Sequence, residues 1–152
     1  MALKNKFGEN ALSPRQWGLD PNSGGIKIPP KVTVDVEKRI LALAEKEFIG
    51  KYTRIDIRFR NQFCYMDAYT EPVLTEGWPP KDWPESREEY QERMRNTPVH
   101  LCRLRYFGED KWGFAFYPYS HEKYELSVYD DGDFFGTPER AFLISAGLYL
   151  NE

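Results

Sequence analysis

The chain has 152 residues and a formal net charge of −3, and its length is typical of a single domain. Ten Phe, ten Tyr and four Trp give an aromatic fraction of 16%, which excludes a disordered chain because such chains lack the aromatics that build a core. No apolar run approaches the ~20 residues of a membrane span, and the start of the chain contains no apolar block of the kind found in a secretory signal. We therefore expect a cytoplasmic protein that does not insert into a membrane.

The N-terminal part is rich in residues that favour turns. Residues 1–30 include four Gly and four Pro without a sustained period, which predicts an irregular arm. We assign residues 31–152 to one domain. It begins with an amphipathic helix, and Thr33 or Asp35 is expected to cap the start of that helix. The apolar residues of the helix recur at helical spacing: Val36, Ile40, Leu43, Ala44 and Phe48.

Two short segments of alternating apolar and polar residues predict a β-hairpin with Asn61 and Gln62 in its loop. In this register Phe59 lies opposite Cys64, because a slip of one residue would mix the apolar set with the charged set. The apolar side chains share one face of the hairpin: Ile55, Ile57, Phe59, Cys64, Met66 and Ala68. The other face is charged and aromatic: Arg54, Asp56, Arg58, Tyr65, Asp67 and Tyr69.

A proline-rich loop over residues 71–84 follows the hairpin and contains Trp78 and Trp83. We expect these two side chains to fold back over the edge of the sheet. The alternative is a recognition segment, in which proline extends the backbone and tryptophan anchors a partner. Ser86 and Glu89 then form a capping box, which predicts the start of a short helix.

Three further strands are predicted over residues 100–107, 112–119 and 124–129. A final helix follows, with Thr137 as its N-cap. This helix is apolar almost all round, and its Gly147 would permit close approach by another element. The order of elements predicts an α+β domain: an antiparallel sheet of about five strands, built as a hairpin plus a three-strand meander, with helices packed on one face.

The same alternation places Arg103 opposite Phe116 and Arg105 opposite Phe114 on the charged side of the sheet. We call this side the Arg/aromatic face and predict that it is a binding surface formed by Arg54, Arg58, Tyr65, Tyr69, Arg103, Arg105, Phe114 and Phe116. Three interpretations fit it: cross-strand stabilisation on a solvated face, a protein interface, or a platform for single-stranded nucleic acid. With Glu125 assigned to the same face, its charge is nearly neutral, which disfavours phosphate binding.

Asp56 and Asp67 are predicted to lie opposite each other, and like charges so placed destabilise a sheet unless something compensates. A shared proton or a divalent metal would make the pair the centre of a metal-dependent hydrolase or nuclease. The interpretation we favour is that Arg54, Arg58 and Arg103 neutralise both carboxylates in a structural ion-pair network.

Other catalytic or cofactor chemistry has little support in the sequence. Cys64, His100 and Cys102 could share one face of the sheet, but close cysteine pairs of the kind that bind zinc are missing, so we expect core residues and no metal. His121 is expected in a solvated turn, where the sequence places no catalytic partner beside it. The glycine-rich nucleotide-binding motifs and the serine-hydrolase elbow are absent, so we expect no cofactor.

The segment from Lys51 to Pro72 and the Phe-Gly-Thr-Pro-Glu segment from Phe135 to Glu139 resemble a family of small bacterial proteins without assigned activity. The resemblance covers most of the chain after the arm. It implies a soluble bacterial protein and supplies no catalytic residues. We predict a non-enzymatic binding or assembly module that uses the Arg/aromatic face or the last helix and that forms a homodimer or binds another protein. Asp56 and Asp67 carry the alternative of an enzyme.

Overall fold

The computed structural model describes residues 3–4, 10–11, 24–118 and 122–150. Its helices are α1 (Pro30–Glu47), α2 (Arg87–Arg95) and α3 (Pro138–Tyr149). Its strands are β1 (Leu3–Lys4), β2 (Asn10–Ala11), β3 (Arg54–Arg60), β4 (Phe63–Tyr69), β5 (Val99–Tyr106), β6 (Trp112–Phe116), β7 (Glu125–Ser127) and β8 (Phe135–Gly136). β1 pairs with β2, and the main sheet has the order β3-β4-β5-β6-β7 with β8 paired to β6. All pairings are antiparallel, which confirms the predicted α+β domain.

The core lies between the main sheet and the first and last helices, as predicted. Phe48, which follows α1, meets Phe142 of α3 edge-to-face with ring centroids 5.7 Å apart. The two helices direct these residues inwards: Val36, Ile40 and Ala44 from α1, and Ala141, Phe142 and Ala146 from α3. In contrast, α2 buries none of its residues. No helix in the described ranges has both the length and the apolar character needed to span a membrane.

α1 begins earlier than its polar residues suggest. Pro30 occupies the first turn after an extended Pro29, because the fixed φ of proline suits a helix start, where a backbone N–H would have no intrahelical partner. The predicted caps Thr33 and Asp35 are therefore wrong, since both lie inside the helix. Asp35 instead pairs with Arg39 one turn later, at 3.0 Å.

The last residues of the predicted arm cross the hairpin end of the sheet. The backbone N–H of Ile26 donates to the carbonyl of Tyr106 at 2.8 Å, and that of Ile28 donates to the carbonyl of Asn61 at 2.9 Å. Gly25 passes so close that a Cβ there would lie 2.8 Å from the Tyr106 carbonyl oxygen. Backbone hydrogen bonds and close passage thus hold this part of the arm against the sheet.

The predicted hairpin register is confirmed, with Phe59 opposite Cys64. The predicted register of the next two strands is wrong by one residue, because Arg103 lies opposite Ala115 and Arg105 opposite Gly113. The cause is the connecting loop, in which Gly108, Glu109 and Asp110 all have positive φ. The bond from the N–H of Phe107 to the carbonyl of Lys111 closes this loop around three residues, where the prediction allowed four.

This shift turns β6 over relative to β5. Phe114 and Phe116 lie opposite Leu104 and Cys102, so they face the core, and Phe114 is 1% exposed. Their predicted place on the Arg/aromatic face is therefore corrected. β7 turns over with β6, because Glu125 pairs with Phe116 and so also leaves that face.

Candidate functional site

The Arg/aromatic face contains paired rows from β3 and β4. Arg54 lies opposite Tyr69, Arg58 opposite Tyr65 and Arg60 opposite Phe63. β5 and the chain next to β6 and β7 complete the face with His100, Arg103, Arg105, Tyr117 and Tyr124. Of the predicted binding residues, the fold brings together Arg54, Arg58, Tyr65, Tyr69, Arg103 and Arg105.

Guanidinium groups lie over aromatic rings across this face. Arg54 lies 4.1 Å from the ring centroid of Tyr69, and Arg58 lies 5.1 Å from that of Tyr65. Arg103 lies 4.3 Å from the ring centroid of Phe63 and 5.3 Å from that of Tyr124. Each such contact contributes ~0.5–1 kcal/mol where exposed and more where water is excluded.

Asp67 forms the polar centre of the face. Its side chain is only 4% exposed, and each carboxylate oxygen has its own partner. Oδ1 lies 2.9 Å from Nδ1 of His100, and Oδ2 lies 2.9 Å from Nη2 of Arg58. A buried carboxylate needs such partners because its desolvation is otherwise costly.

Asp56 lies opposite Asp67, as predicted, but the two carboxylates have different surroundings. The Asp56 side chain is 39% exposed, and its Oδ2 lies 3.7 Å from Nε of Arg58. Arg58 thus lies between the two carboxylates, as the structural interpretation predicted. Arg54, which was predicted to share this role, lies over the ring of Tyr69 instead. Arg103 lies over the rings of Phe63 and Tyr124.

A β-bulge brings His100 to the site. Met66 lies opposite Cys102, but the next residue, Asp67, lies opposite His100. Leu101 is the extra residue and turns into the core with no exposure. The expectation that His100 shares a face with Cys102 is therefore wrong, because the bulge moves the histidine to the other side of the sheet. Bulges commonly re-aim a side chain in this way.

Three tyrosines border this centre, of which the sequence singled out Tyr65 alone. The ring of Tyr117 lies 4.7 Å from that of His100, and the ring of Tyr124 lies 5.2 Å from that of Tyr117. Tyr124 also meets Tyr65 edge-to-face at 5.8 Å. One sequence signal pointed to this arrangement: Leu101 breaks the alternation that Cys102 and the following residues keep, which is the mark of a bulge.

Burial shifts the pKa of two groups on this face. The pKa of the Tyr124 hydroxyl is raised, first by burial and then by the negative charge of Asp67. The pKa of the Arg103 guanidinium is lowered by burial. The Tyr124 hydroxyl therefore stays protonated at neutral pH and can act as a hydrogen-bond donor.

The two thiols belong to the core. Cys64 and Cys102 are fully buried, and burial raises the pKa of both, that of Cys102 to about 12. A thiol is a poor nucleophile and a poor metal ligand until it loses its proton. Within the described ranges, no group of three or more His, Cys, Asp and Glu side chains is arranged to hold a metal ion. His121 lies outside the described residues.

The tryptophans of the proline-rich loop pack on α2. Trp78 and Trp83 have ring centroids 5.3 Å apart, and both meet Tyr90 of α2 edge-to-face. Arg87 donates to the carbonyl of Trp78 at 2.6 Å and so joins loop and helix. The loop is therefore anchored on the short helix that follows it, whereas the sequence predicts an anchor at the edge of the sheet.

α3 presents an apolar surface on the side away from the sheet. The chain has no charged residue from Ala141 to Leu150, and Leu143 and Leu148 are 40% and 60% exposed. A Cβ at Gly147 would have no atom within 4 Å. Within the described part of the chain, no element makes the close approach predicted at Gly147.

Comparison with known proteins identifies no relative of this chain. No family model matches the chain, and no significant match exists among curated proteins or solved structures. A function for this chain therefore has to be inferred from the geometry of the Arg/aromatic face and of the exposed side of α3.

Proposed function

We propose that this protein is a non-enzymatic binding and assembly module whose Arg/aromatic face contacts a partner. The observation that carries the proposal is the double hydrogen bonding of Asp67 to Arg58 and His100. These two hydrogen bonds hold the side chains of Arg58 and His100 in place before any partner binds. We further propose a cytoplasmic location, a homodimeric state and membership of the bacterial family that the sequence resembles.

The composition of the face supports a binding role. Tyr and Arg are enriched at the residues that dominate binding energy in interfaces. Side chains already held in one conformation lose less conformational entropy on binding, which leaves more of the contact energy for affinity. On this face Arg58 remains 53% exposed although it is fixed by Asp67.

The alternative of a metal-dependent hydrolase needs Asp56 and Asp67 to share a metal or a proton. The guanidinium of Arg58 already lies within 3.7 Å of one carboxylate and 2.9 Å of the other, so it supplies the positive charge that a metal would bring. The test is Asp56→Asn. In the binding module it leaves folding and association intact, whereas in the enzyme it abolishes binding of Mg²⁺ or Mn²⁺ in a calorimetric titration.

The homodimer is assigned to α3. The main-sheet strands place five arginines and two aspartates on the Arg/aromatic face, so pairing this face with itself would bring like charges together. Arg140, one turn before Leu143 on this side of α3, pairs with Asp130 and Asp131. From Leu143 to Leu148 the exposed side of the helix is uncharged and apolar. A second copy related by a two-fold axis meets no charge repulsion there.

Light scattering tests this assignment. The wild-type protein should have twice the monomer mass, and Leu148→Glu should have the monomer mass while keeping its circular dichroism spectrum. Val73→Glu is the matched control, because Val73 is 95% exposed outside the helix and its variant should remain a dimer. A monomeric wild type, or a dimeric Leu148→Glu, overturns the assignment.

A further inference from the structure

We infer that the Arg/aromatic face binds single-stranded nucleic acid, with phosphates along the arginines of β3 and bases on the aromatic rings of β4. The inference rests on the proposed binding role of this face and names the chemical class of its partner.

The arginines of β3 and the aromatic residues of β4 form two adjacent rows that suit a single strand of nucleic acid. β3 lies at one end of the strand order and carries three arginines on this face, each directly opposite an aromatic residue of β4. Arg58 and Arg60 are two residues apart, so their backbones are separated by roughly 7 Å along the strand. Beside them, the rings of Phe63 and Tyr65 have centroids 6.1 Å apart. A charged row next to a stacking row is the arrangement of single-strand binding platforms.

The corrected register makes the face more positive than the sequence indicated. Glu125 pairs with Phe116 and leaves the face, while Arg60 is exposed at its edge. Arg103 and Arg105 lie beneath the surface, at 9% and 3% exposure, so the arginines that a ligand can reach are those of β3. Although the whole chain has a net charge of −3, a local positive patch attracts a polyanion.

The cation–π contact at Tyr69 does not prevent base stacking. A base stacked on an aromatic side chain changes affinity by roughly fivefold to more than a hundredfold. An exposed guanidinium over a ring corresponds to roughly two- to fivefold. A base can therefore replace Arg54 over the ring of Tyr69, and the released guanidinium is then free to meet a phosphate.

The same observations favour nucleic acid over an acidic polypeptide. Glutamate and aspartate side chains would engage the arginines but offer nothing to stack on Phe63, Tyr65 and Tyr69. A nucleic acid strand uses both rows, because every base has a stacking surface and every nucleotide a phosphate.

Fluorescence anisotropy with a labelled oligothymidylate of about ten nucleotides tests the inference, since this length covers a typical single-strand site. If three arginines each meet a phosphate, the logarithm of the affinity should fall against the logarithm of salt concentration with a slope of about −2. Arg60→Glu should weaken binding about tenfold at low salt and make this slope shallower. Tyr69→Leu should weaken binding by roughly tenfold through lost stacking.

Two controls isolate the face. Lys38→Glu makes the same reversal of charge at an exposed position of α1, and Trp83→Leu removes a ring that is 38% exposed in the proline-rich loop. Both should bind as the wild type does. The inference is overturned if the oligonucleotide does not bind, or if the controls weaken binding as much as the face variants. If polyglutamate binds through Arg60 and the oligonucleotide does not, the inference fails and the proposed binding role stands.

Discussion

Asp56 and Asp67 look equivalent in the sequence, but the structure predicts a loss of stability on replacing Asp67 and almost none on replacing Asp56. Asp67→Asn removes the charge from two hydrogen bonds that are both 2.9 Å long. A hydrogen bond to a charged group contributes about 1 kcal/mol more than a neutral one, so the loss is about 2 kcal/mol for the pair. Relief of the repulsion from Asp56 returns up to about 0.5 kcal/mol. The net decrease in the free energy of unfolding should be about 1.5 kcal/mol.

Asp56→Asn is the matched variant. It removes a 3.7 Å contact between half-exposed side chains, and such surface pairs contribute about 0–1 kcal/mol. It also removes the same repulsion from Asp67, so the two effects offset each other. The free energy of unfolding should change by less than about 0.5 kcal/mol.

Urea denaturation followed by circular dichroism measures both variants. With a dependence of about 2 kcal/mol per molar urea, the midpoint for Asp67→Asn should fall by about 0.7 M, while that for Asp56→Asn should stay near the wild type. Equal effects of the two substitutions, or a larger effect of Asp56→Asn, would refute the structural role assigned to Asp67.

Two further predictions concern packing and ionisation. In Gly136→Ala, the new Cβ would lie 2.6 Å from ring carbons of Tyr129, so urea denaturation should show a loss of about 1–3 kcal/mol. Gly147→Ala is the matched variant and should gain up to about 1 kcal/mol, because the new Cβ would meet no described atom of its own protomer within 4 Å and alanine favours helix. The folded state raises the pKa of Cys102 from 9.0 to about 12. Only the unfolded thiol then ionises between these values, so the free energy of unfolding should fall as pH rises through this range. Cys102→Ala should reduce that slope, and an unchanged slope would contradict the assignment.

The class of fold could be predicted because alternation and helical spacing are local properties of the sequence. The hairpin register followed from the same patterns, since a slip would have placed charged residues in the core. The register of the next hairpin could not be derived in this way. Both of its strands carry large apolar residues at consecutive positions, so alternation does not distinguish Phe114 from Ala115. The positive φ angles at Glu109 and Asp110 decided the loop length, and residues other than glycine rarely signal such angles.

The site was predicted in part for related reasons. Arg54, Arg58, Tyr65 and Tyr69 lie in the hairpin, where the register was right. His100 was missed because one inserted residue, Leu101, reverses the side of the sheet to which it belongs. Tyr117 and Tyr124 lie next to β6 and β7 but outside these strands, so strand alternation gives no position for their side chains.

Stability alone does not account for this face. Burying the Asp67 carboxylate costs several kcal/mol before its partners offset that cost, and well-packed apolar residues usually stabilise a protein as much as a buried ion pair does. Cross-strand stabilisation on a solvated face would also not need a bulge to bring His100 opposite the carboxylate. What the arrangement does provide is position: Asp67 holds Arg58 in a fixed place beside the ring of Tyr65. A fixed guanidinium next to fixed rings is what a binding surface needs, and for this reason we favour a binding role for the face over a structural one.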